Sequence, residues 1–232
     1  ICRDIWYIRS SSIMKFFIDT ANLNEISEMK SLGVLDGVTT NPSLMAKEGI
    51  TDPNQHYSSI CDMVDGDVSA EVISTDYEGM IREAMIFHQC LRENIVVKLP
   101  CTEDGIKATK YCSVHKIKTN VTLVFSAMQA LIAAKAGAAY VSPFIGRLDD
   151  IQIEGVELIK DIKQIFNNYN IKTQILGAST RNPIHIVQCA KAGCDVVTVP
   201  YKVLKQLIKH PLTDIGLKKF LDDYNSIGKD VK

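Results

Sequence analysis

The chain has 232 residues, 46% of them hydrophobic and 23% charged, with a formal net charge of −1. That length can bury a large core, and the composition is that of an ordinary globular domain rather than a disordered or fibrous one. A charge this close to zero gives no general attraction to nucleic acid or to a membrane surface.

The first thirteen residues, Ile1 to Ile13, hold two arginines, three serines and one acid, and do not read as part of a fold. They are expected to be a non-core extension or remnant, with a single domain over residues 14–232. From Met14 onward, short apolar runs alternate with longer amphipathic ones. The expected strands are Lys15–Asp19, Gly37–Thr40, Val68–Ile73, Ile95–Leu99, Thr119–Leu123, Ala139–Ser142, Thr173–Leu176 and Val196–Val199. Between them lie helical patterns at Asn24–Leu32, Tyr77–Leu91, Gly105–His115, Ala127–Ala136, Gly155–Tyr169 and Ile184–Ala192, with a last amphipathic helix at Leu212–Tyr224. Asn22 or Asn24, Asp76, Thr102 and Ser126 suit helix N-caps, and Gly137 and Gly193 suit C-terminal caps. Strict alternation of strand and helix implies a parallel sheet. Eight such units over about 200 residues fit an α/β fold of the (β/α)8 TIM-barrel type, closed by an extra C-terminal helix. Glycine-rich phosphate loops that would favour an open doubly wound sheet are missing from the sequence.

Seven cysteines, at 2, 61, 90, 101, 112, 189 and 194, include no C-x-x-C pair and read as reduced thiols in a cytoplasmic protein. No zinc site is expected, and no stretch is apolar for long enough to cross a bilayer.

Barrel chemistry belongs at the C-terminal ends of the strands. Polar residues gather there: Asp19-Thr20 after the first strand, Thr39-Thr40-Asn41 after the second, Glu71 on the third, Asn120 and Thr122 on the fifth, Ser142 on the sixth. The fourth strand carries Lys98 within Ile95-Val96-Val97-Lys98-Leu99-Pro100. A lysine in a strand covered on both faces is expensive to keep charged, so its amine is expected to be neutral and nucleophilic toward a carbonyl. The alternatives for Lys98 are a side chain that reaches solvent past the strand end, or one paired with a carboxylate. Asp19 could instead cap a helix, Asn41 could shape a turn with Pro42, and Glu71 could pair with a surface lysine. Period-two alternation puts Asp19 on the face of Phe17, Lys98 on that of Val96, Glu71 on that of Ser69 and Thr122 on that of Asn120. If those faces point inward, the polar groups converge.

After the seventh strand, Gly177-Ala-Ser-Thr-Arg181-Asn-Pro183 opens a helix. Its backbone N–H groups, the Ser179 hydroxyl and the forked Arg181 guanidinium can hold an anion. Arg147 can supply a second guanidinium from the loop after the sixth strand, unless Asp149 or Asp150 engages it.

Six strings resemble the transaldolase family: Phe17-Ile-Asp-Thr-Ala-Asn22, Thr39-Thr-Asn-Pro-Ser43, Val97-Lys-Leu-Pro100, Asn120-Val-Thr-Leu-Val-Phe-Ser126, Ser142-Pro-Phe-Ile-Gly-Arg147 and Gly177-Ala-Ser-Thr-Arg-Asn182. The resemblance runs from Met14 to about residue 224 and looks like the compact subfamily related to the fructose-6-phosphate aldolases. It implies a Schiff-base mechanism without metal or cofactor. By that resemblance Lys98 forms the carbinolamine and Asp19 is the acid/base at the C4 hydroxyl of a ketose. Glu71 and Thr122 position and activate a water, Asn41 and Ser142 hold the dihydroxyacetone hydroxyls, Thr40 and Phe144 are further substrate-binding residues, and Arg147, Ser179 and Arg181 clamp the phosphate.

The aldolases resemble this chain but carry Gln in place of Glu71 and Tyr in place of Phe144. The resemblance therefore implies a transferase that moves dihydroxyacetone from sedoheptulose 7-phosphate to glyceraldehyde 3-phosphate, in the non-oxidative pentose phosphate pathway. A fructose-6-phosphate lyase, and a barrel that binds sugar phosphates without catalysis, are the competing expectations. The last helix could cover the barrel bottom. The compact subfamily instead implies a ring-shaped homo-oligomer, a pentamer or decamer, with that helix packed on a neighbour.

Overall fold

Eight parallel strands pair in sequence order, and the eighth closes on the first, in a computed structural model that describes residues 13–227. The expected extension therefore lies, apart from Ile13, outside the described residues. The chain runs β1 (Lys15–Asp19), α1 (Leu23–Ser31), β2 (Gly37–Thr39), α2 (Pro42–Lys47), α3 (Pro53–Met63), β3 (Asp67–Glu71), α4 (Tyr77–Cys90) and β4 (Ile95–Pro100). It continues α5 (Glu103–Val114), β5 (Thr119–Val124), α6 (Ala127–Ala136), β6 (Tyr140–Pro143), α7 (Ile145–Asp149), α8 (Gly155–Asn168), β7 (Gln174–Gly177), α9 (Pro183–Lys191), β8 (Val196–Val199), α10 (Tyr201–Leu207) and α11 (Pro211–Ser226). This is the (β/α)8 barrel the alternation predicts.

Each expected strand is present within two residues of its predicted bounds. Four helices, α2, α3, α7 and α10, were not anticipated. α2 and α7 are single short turns around one proline-containing or polar segment, too brief to show a period. α3 reads Pro53-Asn-Gln-His-Tyr-Ser-Ser-Ile-Cys-Asp-Met63, with few apolar residues to mark a face. The predicted caps hold: Asn22, Asp76, Thr102 and Ser126 each accept a backbone N–H at a helix start.

Two apolar layers follow from strand alternation. The outer one joins Ile18, Val38, Val68, Val97, Val121, Val141, Ile175 and Val197 to the helices around them. The inner one fills the barrel with Phe17, Val96, Tyr140, Leu176, Ala178 and Val196. Fully burying one such side chain contributes about 1.5–3 kcal/mol, so the inner layer is a firm floor rather than a pore.

α11 behaves differently from the other long helices. α8 buries Val156, Leu158, Ile159, Ile162 and Phe166, whereas α11 buries nothing. Its Leu212, Ile215, Leu217, Phe220, Leu221 and Tyr224 are all exposed, Phe220 by 71%. The alternative in which this helix covers the barrel bottom is thereby overturned within the described residues.

Candidate active site

The polar mouth lies one pleat above the apolar floor. A step of two residues along a strand returns to the same face. Phe17 leads to Asp19 on β1, Val96 to Lys98 on β4, Tyr140 to Ser142 on β6 and Val196 to Thr198 on β8. Asp19, Thr39, Asn41, Lys98, Thr122, Ser142, Phe144, Arg147, Ser179 and Thr198 line a cavity of about 150 Å³. Eight of the eleven residues expected at the site line this one cavity; Glu71, Thr40 and Arg181 lie outside its lining.

Lys98 is 6% exposed. Its Nζ lies 3.1 Å from Glu71 Oε2 and donates to the Thr40 carbonyl at 3.0 Å. The dry, uncharged surroundings expected from the strand composition give way to an ion pair with Glu71. Neighbouring strands impose this pair, since Glu71 is the register partner of Lys98 across β3 and β4. Glu71 approaches from a separate cleft between α2, α3 and α4, not from the main cavity. Such a buried pair is weak evidence for stability, because apolar replacements of both partners are often neutral or stabilising. It is better explained by chemistry at the amine.

Asp19 lies half-buried on the adjoining side of the cavity. Burial pushes its carboxyl above the ordinary value, while the Lys98 charge and a hydrogen bond from Thr39 pull it back. Thr39 Oγ1 donates to Asp19 Oδ1 at 2.7 Å. Asp19 does not cap α1, a role taken by Asn22.

β5 is irregular where it meets the site. Its pairing with β6 shifts register between Val121 and Val124, and Leu123 has φ +59°. A left-handed leucine costs about 1–2 kcal/mol and marks a bulge that re-aims the strand. Thr122, just before it, is fully buried, and its Oγ1 has no partner among the described residues. Below it, Ser142 Oγ donates to Asn120 Oδ1 at 2.7 Å, and Asn120 Nδ2 donates to Ser69 Oγ at 3.2 Å. These bonds fix the Ser142 rotamer across three strands.

Thr40 follows strand alternation outward. Its hydroxyl donates to the Ser69 carbonyl at 3.0 Å and faces the Tyr57 hydroxyl, so only its own carbonyl reaches Lys98. Thr39 stands in the cavity in its place. Asn41 combines two roles: its side chain accepts the Leu44 N–H at the start of α2, and the residue lines the cavity.

At the far side, Arg147 stacks over the Phe144 ring, 4.9 Å from guanidinium carbon to centroid. No ion pair joins it to Asp149 or Asp150; Asp150 instead engages Arg181, with Nη2 2.6 Å from Oδ2. Arg181 in turn holds the Asp150 carboxyl below its usual range. Ser179, at φ +57°, packs its carbonyl against Gly146, whose N–H donates to it at 3.1 Å. A Cβ on Gly146 would lie 2.2 Å from that oxygen, so only glycine permits the approach.

Thr39 and Thr198 were missed as site residues. Thr198 is hidden in Val196-Val-Thr-Val199, where its β-branched shape suits a strand; the period-two step from Val196 was the available signal. Cys101, beside Lys98 in sequence, is no activated nucleophile, because burial raises its thiol. Among the described residues no cluster of three or more His, Cys, Asp and Glu is arranged to hold a metal, and no helix is long and apolar enough to cross a membrane.

A family profile described as Transaldolase/Fructose-6-phosphate aldolase matches residues 16–231. A probable transaldolase of Phocaeicola vulgatus is 63% identical over 217 residues, covering 92% of this chain and 99% of that protein. One of Flavobacterium psychrophilum is 61% identical over 214 residues, covering 91% and 98%. One of Porphyromonas gingivalis is 58% identical over 219 residues, covering 93% and 99%.

Proposed function

The chain belongs to the transaldolase/fructose-6-phosphate aldolase family, and from that membership we propose that it is a transaldolase, a transferase working through a Schiff base on Lys98. The observation that carries this reading is the Lys98 amine in a closed barrel mouth, paired with Glu71 and facing the separate carboxyl of Asp19.

In the resting pair the amine needs to pass a proton to Glu71 before attacking the C2 carbonyl of a ketose phosphate. Glu71 then returns that proton to the carbinolamine oxygen, which leaves as water, and the iminium forms. The unpartnered Thr122 hydroxyl, turned into the cavity, supports its holding of a water for this exchange. Asp19 removes the C4 hydroxyl proton. The C3–C4 bond then breaks, its electron pair passing into the iminium to give an enamine while an aldose phosphate departs. The enamine attacks a second aldehyde, Asp19 returns the proton, and hydrolysis frees Lys98.

Arg147 and Ser179, together at one side of the cavity, support phosphate binding there. There it would compete with Asp150 for Arg181, whose fork turns from one anion to the other. Binding the remote phosphate orients the carbonyl toward Lys98. Sedoheptulose 7-phosphate as donor and glyceraldehyde 3-phosphate as acceptor fit a cavity with a carbonyl-reactive amine at one wall and cations at another.

Borohydride added with a ketose phosphate tests this directly. One substrate mass on the peptide bearing Lys98 is expected, and no adduct at saturating donor would favour a barrel that only binds sugar phosphates. We also propose that α11 packs on a second copy of the chain in a homo-oligomeric ring, which its wholly exposed apolar residues support. Light scattering is expected to give a multiple of 25.8 kDa, reduced on changing Leu212, Ile215 and Phe220 together to serine; a monomeric wild type refutes it. Reduced thiols and a cytoplasmic setting fit the six described cysteines, all free.

A further inference from the structure

Between β8 and β2 a side-chain contact passes over β1. Thr198 Oγ1 lies 2.5 Å from Thr39 Oγ1, although the two residues are 159 positions apart. Thr39 Oγ1 in turn lies 2.7 Å from Asp19 Oδ1. Barrel closure makes this possible: β1 pairs with β2 on one side, Asp19 opposite Thr39, and with β8 on the other, Phe17 opposite Thr198. Both threonines are buried, and among the described residues Thr198 has no other side-chain hydrogen bond. Its backbone is pinned as well, since Thr180 Oγ1 donates to the Thr198 carbonyl at 2.7 Å.

A threonine hydroxyl has one proton, and an ionised carboxylate only accepts. Thr39 therefore spends its proton on Asp19, and the proton between the two hydroxyls must come from Thr198. We propose that Thr198 is a positioning residue for Asp19: its hydroxyl donates to Thr39, which fixes the Thr39 proton on the Asp19 carboxylate. This deepens the transaldolase reading and rests on it for the role of Asp19. Hydrogen bonds in such a chain polarise one another, so the distal donor strengthens the proximal one.

Among the described residues, the charged groups facing Asp19 are few. Lys98 does so from β4 and Arg147 lines the same cavity from α7, while Glu71 of β3 reaches Lys98 from the other cleft. Glu25 of α1 accepts from Thr20, and Glu48, at the end of α2, from Asn22. The distal hydroxyl is thus a lever on Asp19 separable from its ion neighbours.

The test compares Thr198→Val, which keeps the branched shape, with Thr198→Ser, which keeps the donor. In Thr198→Val, kcat for ketose phosphate cleavage is expected to fall about tenfold, the loss of one hydrogen-bond contribution. KM should stay within about twofold, borohydride trapping on Lys98 should persist, and the acid limb of the kcat profile should move to higher pH. Thr198→Ser should restore rate and profile. A carbon-13 titration of the Asp19 carboxyl in the free protein gives a second readout that needs no turnover, and its midpoint should rise in Thr198→Val and return in Thr198→Ser. An unmoved midpoint, or a loss of activity that serine does not rescue, overturns the proposal. Failure of the wild type to form any borohydride adduct would overturn the transaldolase reading instead, and would leave the titration still to decide the role of Thr198.

Discussion

The two ends of the same barrel carry similar residues and do opposite things. At the N-terminal end, Lys118 Nζ pairs with Asp67 Oδ1 at 2.9 Å, the Tyr140 hydroxyl donates to Asp67 Oδ2 at 2.7 Å, Lys15 Nζ donates to Gln174 at 3.1 Å, and Asp36 accepts the Phe16 N–H at 2.8 Å. At the C-terminal mouth, Asp19 is held above its ordinary value and Thr122 has a buried hydroxyl without a partner among the described residues. The lower cavity, about 450 Å³, is the larger of the two, against about 150 Å³ above. Volume alone would choose the wrong end. What separates them is the chemistry on hand: the mouth holds a buried amine and a carboxyl raised by burial, whereas at the base the phenol of Tyr140, pushed far up by burial and Asp67, is locked as a donor.

This contrast breaks if mouth substitutions act on stability and base substitutions on rate. The largest effect is expected from Lys98→Met, which should lower turnover by more than about 10⁴-fold with the circular dichroism spectrum unchanged. Near-normal turnover would remove the nucleophile. Asp19→Asn should lower cleavage by about 10²–10⁴-fold while borohydride still traps the ketose on Lys98, because imine formation does not need Asp19. Loss of the adduct as well would assign Asp19 to the earlier step.

At the other end, Asp67→Ala leaves the Tyr140 hydroxyl buried without its acceptor. It should cost about 1–3 kcal/mol of unfolding free energy in a denaturant titration, with kcat per folded molecule unchanged. A rate loss comparable to that of the mouth variants would erase the distinction between the two ends.

The pH dependence sharpens the contrast further. Because Asp19 is raised in the fold, the acid limb of kcat/KM should lie above the ordinary carboxylate value. Its contribution to stability has the opposite sense: a raised folded value favours folding below the unfolded value, and that stabilisation is lost as the pH rises through the folded one. Activity and stability should therefore move in opposite directions through that window. An acid limb at the ordinary value would contradict the burial of Asp19. The smallest effect concerns Phe144, whose ring carries Arg147 and packs edge-on against Phe125 at 5.6 Å. Phe144→Tyr adds a proton donor near the enamine, so free dihydroxyacetone from fructose 6-phosphate should increase without an acceptor aldehyde. No increase would mean that the residue at 144 does not govern release.

Much of the site was legible along the chain, for a local reason. Alternation within one strand relates Asp19 to Phe17, Lys98 to Val96 and Thr122 to Asn120, so inward polar groups could be named before the barrel was seen. The ion pair of Lys98 was less legible. The strand composition argued for a neutral amine, but the neighbouring strand supplies Glu71 at its register position. Thr40 was misplaced by one residue, which in a strand means the opposite face.

The sequence by itself determined the order of strands and helices, the caps and the inward residues of each strand, because period and capping are properties of a few consecutive residues. Only the tertiary structure decided which inward residues meet. Closure of β8 on β1 brings Thr198 to Thr39, the bulge at Leu123 re-aims β5, Asp150 takes the Arg181 fork, and α11 is left with its apolar residues uncovered. Those contacts join residues far apart in the chain, and local periodicity carries no information about a neighbour that only the closed barrel supplies.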